Sequence, residues 1–91
     1  MAEIESQELF KIIGSNIKFY RKLYNLKKGK MTQAQLAELI NVSTALIANL
    51  ESEHINQGIS VFTLWKISNA LEIPIEKLFD TSNFDDRFLE A

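Results

Sequence analysis

The chain has 91 residues, enough for one domain around one modest core and too few for a second. Apolar residues at 46% and charged residues at 24% are ordinary globular values that exclude a disordered chain, and zero cysteines exclude disulfides and thiolate metal sites. The formal net charge is −2, and no apolar run approaches the roughly 20 residues that span a bilayer.

Helical periodicity dominates, and no stretch alternates as a half-buried strand does. A first helix is predicted from Gln7, with Ser6 as its cap, to Tyr24. Phe10, Ile13, Ile17, Tyr20 and Tyr24 recur at steps of three and four and form its core-facing stripe. Lys27-Lys28-Gly29-Lys30 reads as a loop. Two short helices are then expected, Gln33 to Ile40 and Thr44 to Leu50. Thr32 and Ser43 are good N-caps, and Gln35, three residues after Thr32, completes a capping box. Asn41 can enter the left-handed region where a sharp helix exit requires it. Ala37 is small where crossing helices approach, and Leu36, Ile40, Val42, Ile47 and Leu50 supply an apolar wedge between them.

Ser52 to Ile59 is a polar connection. Ser60 caps a fourth helix, Val61 to Leu71, with Val61, Leu64, Trp65, Ile67, Ser68 and Leu71 facing inward. Pro74 opens a short segment, Ile75 to Phe79, as proline is tolerated in a helix's first turn. Trp65 and the six phenylalanines recur at helical spacing and are expected in the core. The domain is placed at 9–79, after an N-terminal extension at 1–8. An acidic tail at 80–91 follows, in which Phe84, Phe88 and Leu89 can form one amphipathic turn.

Seven of the ten basic residues (Lys11, Lys18, Arg21, Lys22, Lys27, Lys28 and Lys30) lie between positions 11 and 30, with no acid among them. Such a block steers toward phosphates even on an acidic protein of pI near 5.3, because local potential governs encounter. Two short helices joined by a tight turn are, in turn, a geometry that sets a helix into the DNA major groove.

Ile13-Gly14, Ile17, Tyr20-Arg21 and Leu26, then Thr32-Gln33, Leu36-Ala37, Val42-Ser43, Ile47 and Glu51, carry a resemblance. Leu64, Ile67, Ala70-Leu71, Ile75 and Leu78-Phe79 close it. In this order the residues resemble the Cro/XRE-type, lambda-repressor-like helix-turn-helix domains. The resemblance spans positions 10 to 79, with Lys27 to Met31 added and Asn41 in place of the usual turn glycine. It implies an all-α, compact five-helix domain with the helix-turn-helix at its second and third helices. It further implies a sequence-specific DNA-binding regulator of transcription, a repressor acting as a homodimer, with Arg21 and Glu51 joined in a partly buried ion pair. The surface from Ile73 to Leu89, with Phe79, Phe84, Phe88 and Leu89, is the candidate for pairing two copies; the alternative is that these aromatics close the monomer's own core.

Gln33, opening the second helix, and Ser43, opening the third, are the candidate phosphate contacts, together with Lys27, Lys28 and Lys30 of the loop. Asn56 and Gln57 are candidates from the other flank. On the third helix Thr44, Ala45, Ala48 and Asn49 point outward as candidate base contacts, with Ser52 beyond them. This surface has no arginine or lysine to read guanine; Asn49 suits adenine, and the small residues suit thymine methyls. Preference for A·T-rich half-sites with substantial shape readout follows.

An enzyme is not indicated. His54 sits alone in a polar loop, Glu51 and Glu53 have no acid/base partner arrangement, and Gly14, Gly29 and Gly58 are too isolated to cradle phosphates. No cofactor or metal is expected. The first residues, Met1 to Glu5, do not read as a secretory signal, so a cytoplasmic setting without membrane attachment is expected. The alternative reading is a protein-interaction module, antirepressor- or antitoxin-like, with weak or no DNA binding; acidity and the base-poor third helix favour it.

Overall fold

Thr32, Ser43 and Ser60 each start a helix in the computed structural model, which describes residues 5–52 and 58–81. Thr32 Oγ1 accepts from the Gln35 N–H at 3.1 Å while Gln35 Oε1 accepts from the Thr32 N–H at 2.8 Å, a complete capping box. Ser43 Oγ accepts from the Leu46 N–H, and Ser60 Oγ from the Thr63 N–H, each at 3.1 Å. These caps open α2 (Gln33–Ile40), α3 (Thr44–Glu51) and α4 (Val61–Ala70). α1 (Ser6–Lys27) precedes them, and a 3-10 helix, Ile75–Phe79, follows α4. Four α-helices and a 3-10 turn therefore stand where five helices were expected; no strand occurs among the described residues.

α1 is longer than its apolar stripe. Ser6 is its first residue, not its cap: Glu5 occupies the N-cap position, and its carbonyl accepts from the Leu9 N–H at 3.0 Å. At the other end the helix takes in Lys27, whose charge suits the carbonyl end of the helix dipole. Asn41 terminates α2 in the left-handed region, φ 59° and ψ 50°. Its N–H donates to Glu38 O and that of Val42 to Ala37 O, the paired bonds of a sharp helix exit.

The core is one cluster, with Ile13 and Ile17 from α1, Leu36, Ala37 and Ile40 from α2, and Ile47 and Leu50 from α3. Leu64, Ile67 and Leu71 around α4 and Leu78 of the 3-10 helix complete it, together with Met31. Two placements differ from the pattern. Val61 is 75% exposed and Trp65 53% exposed, so neither faces inward. Trp65 shares a helical row with Phe62, on which it stacks at 6.1 Å, whereas Leu64, Ile67, Ser68 and Leu71 make the narrower buried stripe. Among the described phenylalanines none is fully buried: Phe19, Phe62 and Phe79 are exposed, and Phe10 is half-buried against the core. The fully buried side chains of the core are aliphatic, with Phe10, Tyr20 and Tyr24 packed partly against them.

Two contacts lock the helices. Gly14 is buried where α1 crosses α3, and a Cβ there would penetrate the Leu50 carbonyl. Asn16, fully buried, donates through Nδ2 to Leu78 O at 2.9 Å and Asp80 O at 3.0 Å, tying the 3-10 helix to α1. A Gly→Ala change inside an exposed helix stabilises by about 1 kcal/mol. Gly14→Ala is expected to reverse that sign and cost about 2 kcal/mol or more, because backbone must move. Urea denaturation checks it; a variant as stable as the parent contradicts the close crossing.

Candidate nucleic-acid interface

The third helix is held by its inner face. Ile47 and Leu50 are buried, and Leu46 packs partly against the core. Ser43, Thr44 and Ala45 are exposed, and Ala48 and Asn49 are half-buried on the same element. The outer surface of α3 is thus most open at its N-terminal turn, where side chains are small and uncharged.

At the opposite end of α3 lies a buried ion pair. Arg21 Nε donates to Glu51 Oε2 at 2.7 Å and Nη2 donates to Oε1 at 2.8 Å, a bidentate geometry. The side chains are 10% and 2% exposed. Arg21 Nη1 also donates to Met31 O at 3.1 Å, so the guanidinium joins α1, α3 and the loop before α2. That loop is fixed a second time: the Met31 N–H donates to Asn25 Oδ1 at 2.6 Å, and the Met31 side chain is buried. The added segment Lys27 to Met31 therefore ends on a core anchor.

Gln33 is half-buried, and its Nε2 donates to Glu51 Oε1 at 3.0 Å. The carboxylate only accepts, so the amide nitrogen must face it. Around Gln33 a shallow cleft is lined by Lys22 and Asn25 of α1, Thr32 and Ala34 at the head of α2, and Thr44 of α3. A helix leaves its first four N–H groups without intrahelical partners. In α2 the capping box satisfies those of Thr32 and Gln35, which leaves the N–H groups of Gln33 and Ala34 at the cleft.

The three loop lysines are not equivalent. Lys27 and Lys30 are exposed. Lys28 Nζ lies 3.0 Å from Glu72 Oε1 and 5.6 Å from the centre of the Tyr24 ring. The hydrogen bond from Lys28, and then its charge, hold the Glu72 carboxyl below its ordinary range. Such an exposed pair is weak and screened by salt, so it can exchange for another anion. His54, Asn56, Gln57, Phe84, Phe88 and Leu89 lie outside the described residues.

Sequence reasoning missed Asn16, Met31 and the bond from Gln33 to Glu51. A polar residue inside the apolar spacing of α1 was the available signal for Asn16. It also missed Lys66, whose Nζ donates to Ile40 O at 2.7 Å and lies 4.8 Å from the centre of the Phe62 ring. That ammonium caps the carbonyl end of α2 from a different helix.

The ion pair, the Gln33 cleft and α2 to α4 fall within a match to the helix-turn-helix family model over residues 17–78, more than half of the chain. The protein belongs to this family, of the Cro/C1 type, a family of DNA-binding regulatory domains. No curated protein matches the sequence. Among the described residues no helix is long and apolar enough to cross a membrane.

Removing one partner of a buried pair strands the other charge, at about 3–5 kcal/mol. Glu51→Ala is accordingly expected to lower unfolding free energy by about that amount, measured by chemical denaturation. Parental stability in this variant contradicts the role assigned to the pair.

Proposed function

We propose that the protein is a sequence-specific DNA-binding repressor of transcription that works as a homodimer. The observation carrying this reading is the combination at α3: an inner face clamped to α1 and α2, and an outer N-terminal turn of small, exposed side chains. In this reading α3 enters the major groove. Thr44, Ala45 and Ala48 meet thymine methyls, and Asn49 pairs with adenine N6 and N7. Gln33, Ser43, Lys27, Lys28 and Lys30 contact phosphates and set the register.

Occupancy is sufficient for repression, since a protein seated in the groove excludes others from the same base pairs. One module buries only about 600–1,000 Å² on DNA, so tight binding calls for a second copy on a half-site one turn away. The segment from Ile73, with Phe79 41% exposed, is the surface proposed for pairing.

One observation favours a second reading. Val61, Phe62 and Trp65 form an exposed apolar face on α4, and the sequence is acidic, with pI near 5.3. An antirepressor- or antitoxin-like module would use such a face to bind a protein.

Salt separates the two. Binding through about four to six phosphates should weaken about a hundredfold to a thousandfold between 50 and 200 mM salt. Fluorescence anisotropy on mixed duplex DNA measures this, and a flat or absent response favours the protein-binding alternative. In vitro site selection should return A·T-rich half-sites. Asn49→Ala should lose about 1–3 kcal/mol of discrimination at one adenine; guanine-dominated sites overturn the base assignments.

A further inference from the structure

We infer that Glu51 is a positioning residue for DNA binding: it orients the Gln33 side-chain amide at the head of α2, in addition to its ion pair with Arg21. This rests on the DNA-binding reading and deepens it by naming what prepares the phosphate contact. Three hydrogen bonds converge on the Glu51 carboxylate, two from Arg21 and one from Gln33 Nε2. Its two oxygens are thereby held in place by a guanidinium that is itself anchored on Met31 O. Gln33 hydrogen-bonds to a group that cannot turn away, and charge assistance strengthens that bond.

The consequence lies at the cleft. A glutamine free in solvent must lose rotamer freedom when it binds a phosphate. Here that ordering has already taken place in the folded protein. One Nε2 proton is given to Glu51, which leaves the second for a phosphate at the cleft that Gln33 and Ala34 line. The cleft lies at the positive end of the α2 dipole, where a phosphate is favoured. The Glu51 carboxylate links the C-terminus of α3 to α1 through Arg21 and to the N-terminus of α2 through Gln33, so the reading helix and the phosphate contact are held in one frame.

The test is a coupling measurement on the full chain. Gln33→Ala is made alone and in an Arg21→Met, Glu51→Met background, where apolar groups of similar length replace the pair. Affinity is read on the duplex returned by site selection, at one salt concentration, after circular dichroism has shown each variant folded. In the parent, Gln33→Ala should weaken binding about tenfold. In the background variant, which has already lost the orientation, it should change binding by less than about twofold. A purely structural ion pair leaves the loss equal in both, and that result overturns the inference while leaving the DNA-binding reading intact. A parent that binds no duplex overturns both.

If the background variant does not fold, the free parent protein decides. Of its two Gln33 Nε2 protons, the one given to Glu51 should exchange with solvent markedly more slowly than the other. Equal, fast exchange at both protons overturns the inference.

Discussion

Arg21 and Glu51 are the constraint on which the motif's geometry depends. Withdrawn from water, neither charge is tolerable without the other, so the elements that carry them must meet in one arrangement. A leucine pair at the same place would tolerate sliding. The guanidinium fork does not, because its donors fit two carboxylate oxygens only in one plane. The pair thus contributes specificity of arrangement as much as stability, and it does so at the junction of α1, α3 and the loop before α2.

Around this junction the polar groups are shared between elements. Asn25 holds Met31, Met31 accepts from Arg21, and Glu51 accepts from Gln33. The basic block of the sequence divides accordingly. Arg21 is a structural cation, Lys28 is engaged with Glu72, and Lys27 and Lys30 lie on the surface. Counting basic residues between positions 11 and 30 therefore overstates the charge directed at a nucleic acid. What the block retains is a local excess of cation near the head of α2, on a protein whose overall charge is negative.

The locally encoded features were legible from the residues alone. Each cap needs only a hydroxyl and an N–H two or three positions away, so Thr32, Ser43 and Ser60 could be read directly. The left-handed Asn41 and the apolar wedge of α2 and α3 are of the same kind. What escaped depends on separation along the chain. Asn16 bonds to carbonyls more than sixty positions away, and Lys66 to the end of a different helix. Trp65 matches helical spacing, yet spacing cannot say which row of a helix the neighbours cover; the aliphatic row was covered and the aromatic row was not. Glu72 adopts φ 58°, a conformation nothing in its chemistry announces, because the turn after α4 requires it there. At the interface, outward residues of α3 could be named by periodicity, whereas the bond that commits Gln33 to Glu51 is a tertiary fact.

Gly14 has a further mechanical meaning. Where most crossing helices are spaced by side chains, which can change rotamer and let the angle drift, here main chain rests on main chain. No torsion at that point offers an adjustable spacer. Replacement of a neighbouring aliphatic residue can loosen the interior, but it cannot bring α3 closer to α1 at this point. The separation at which α1 and α3 cross is limited by the thickness of two backbones, a dimension that no rotamer change can alter.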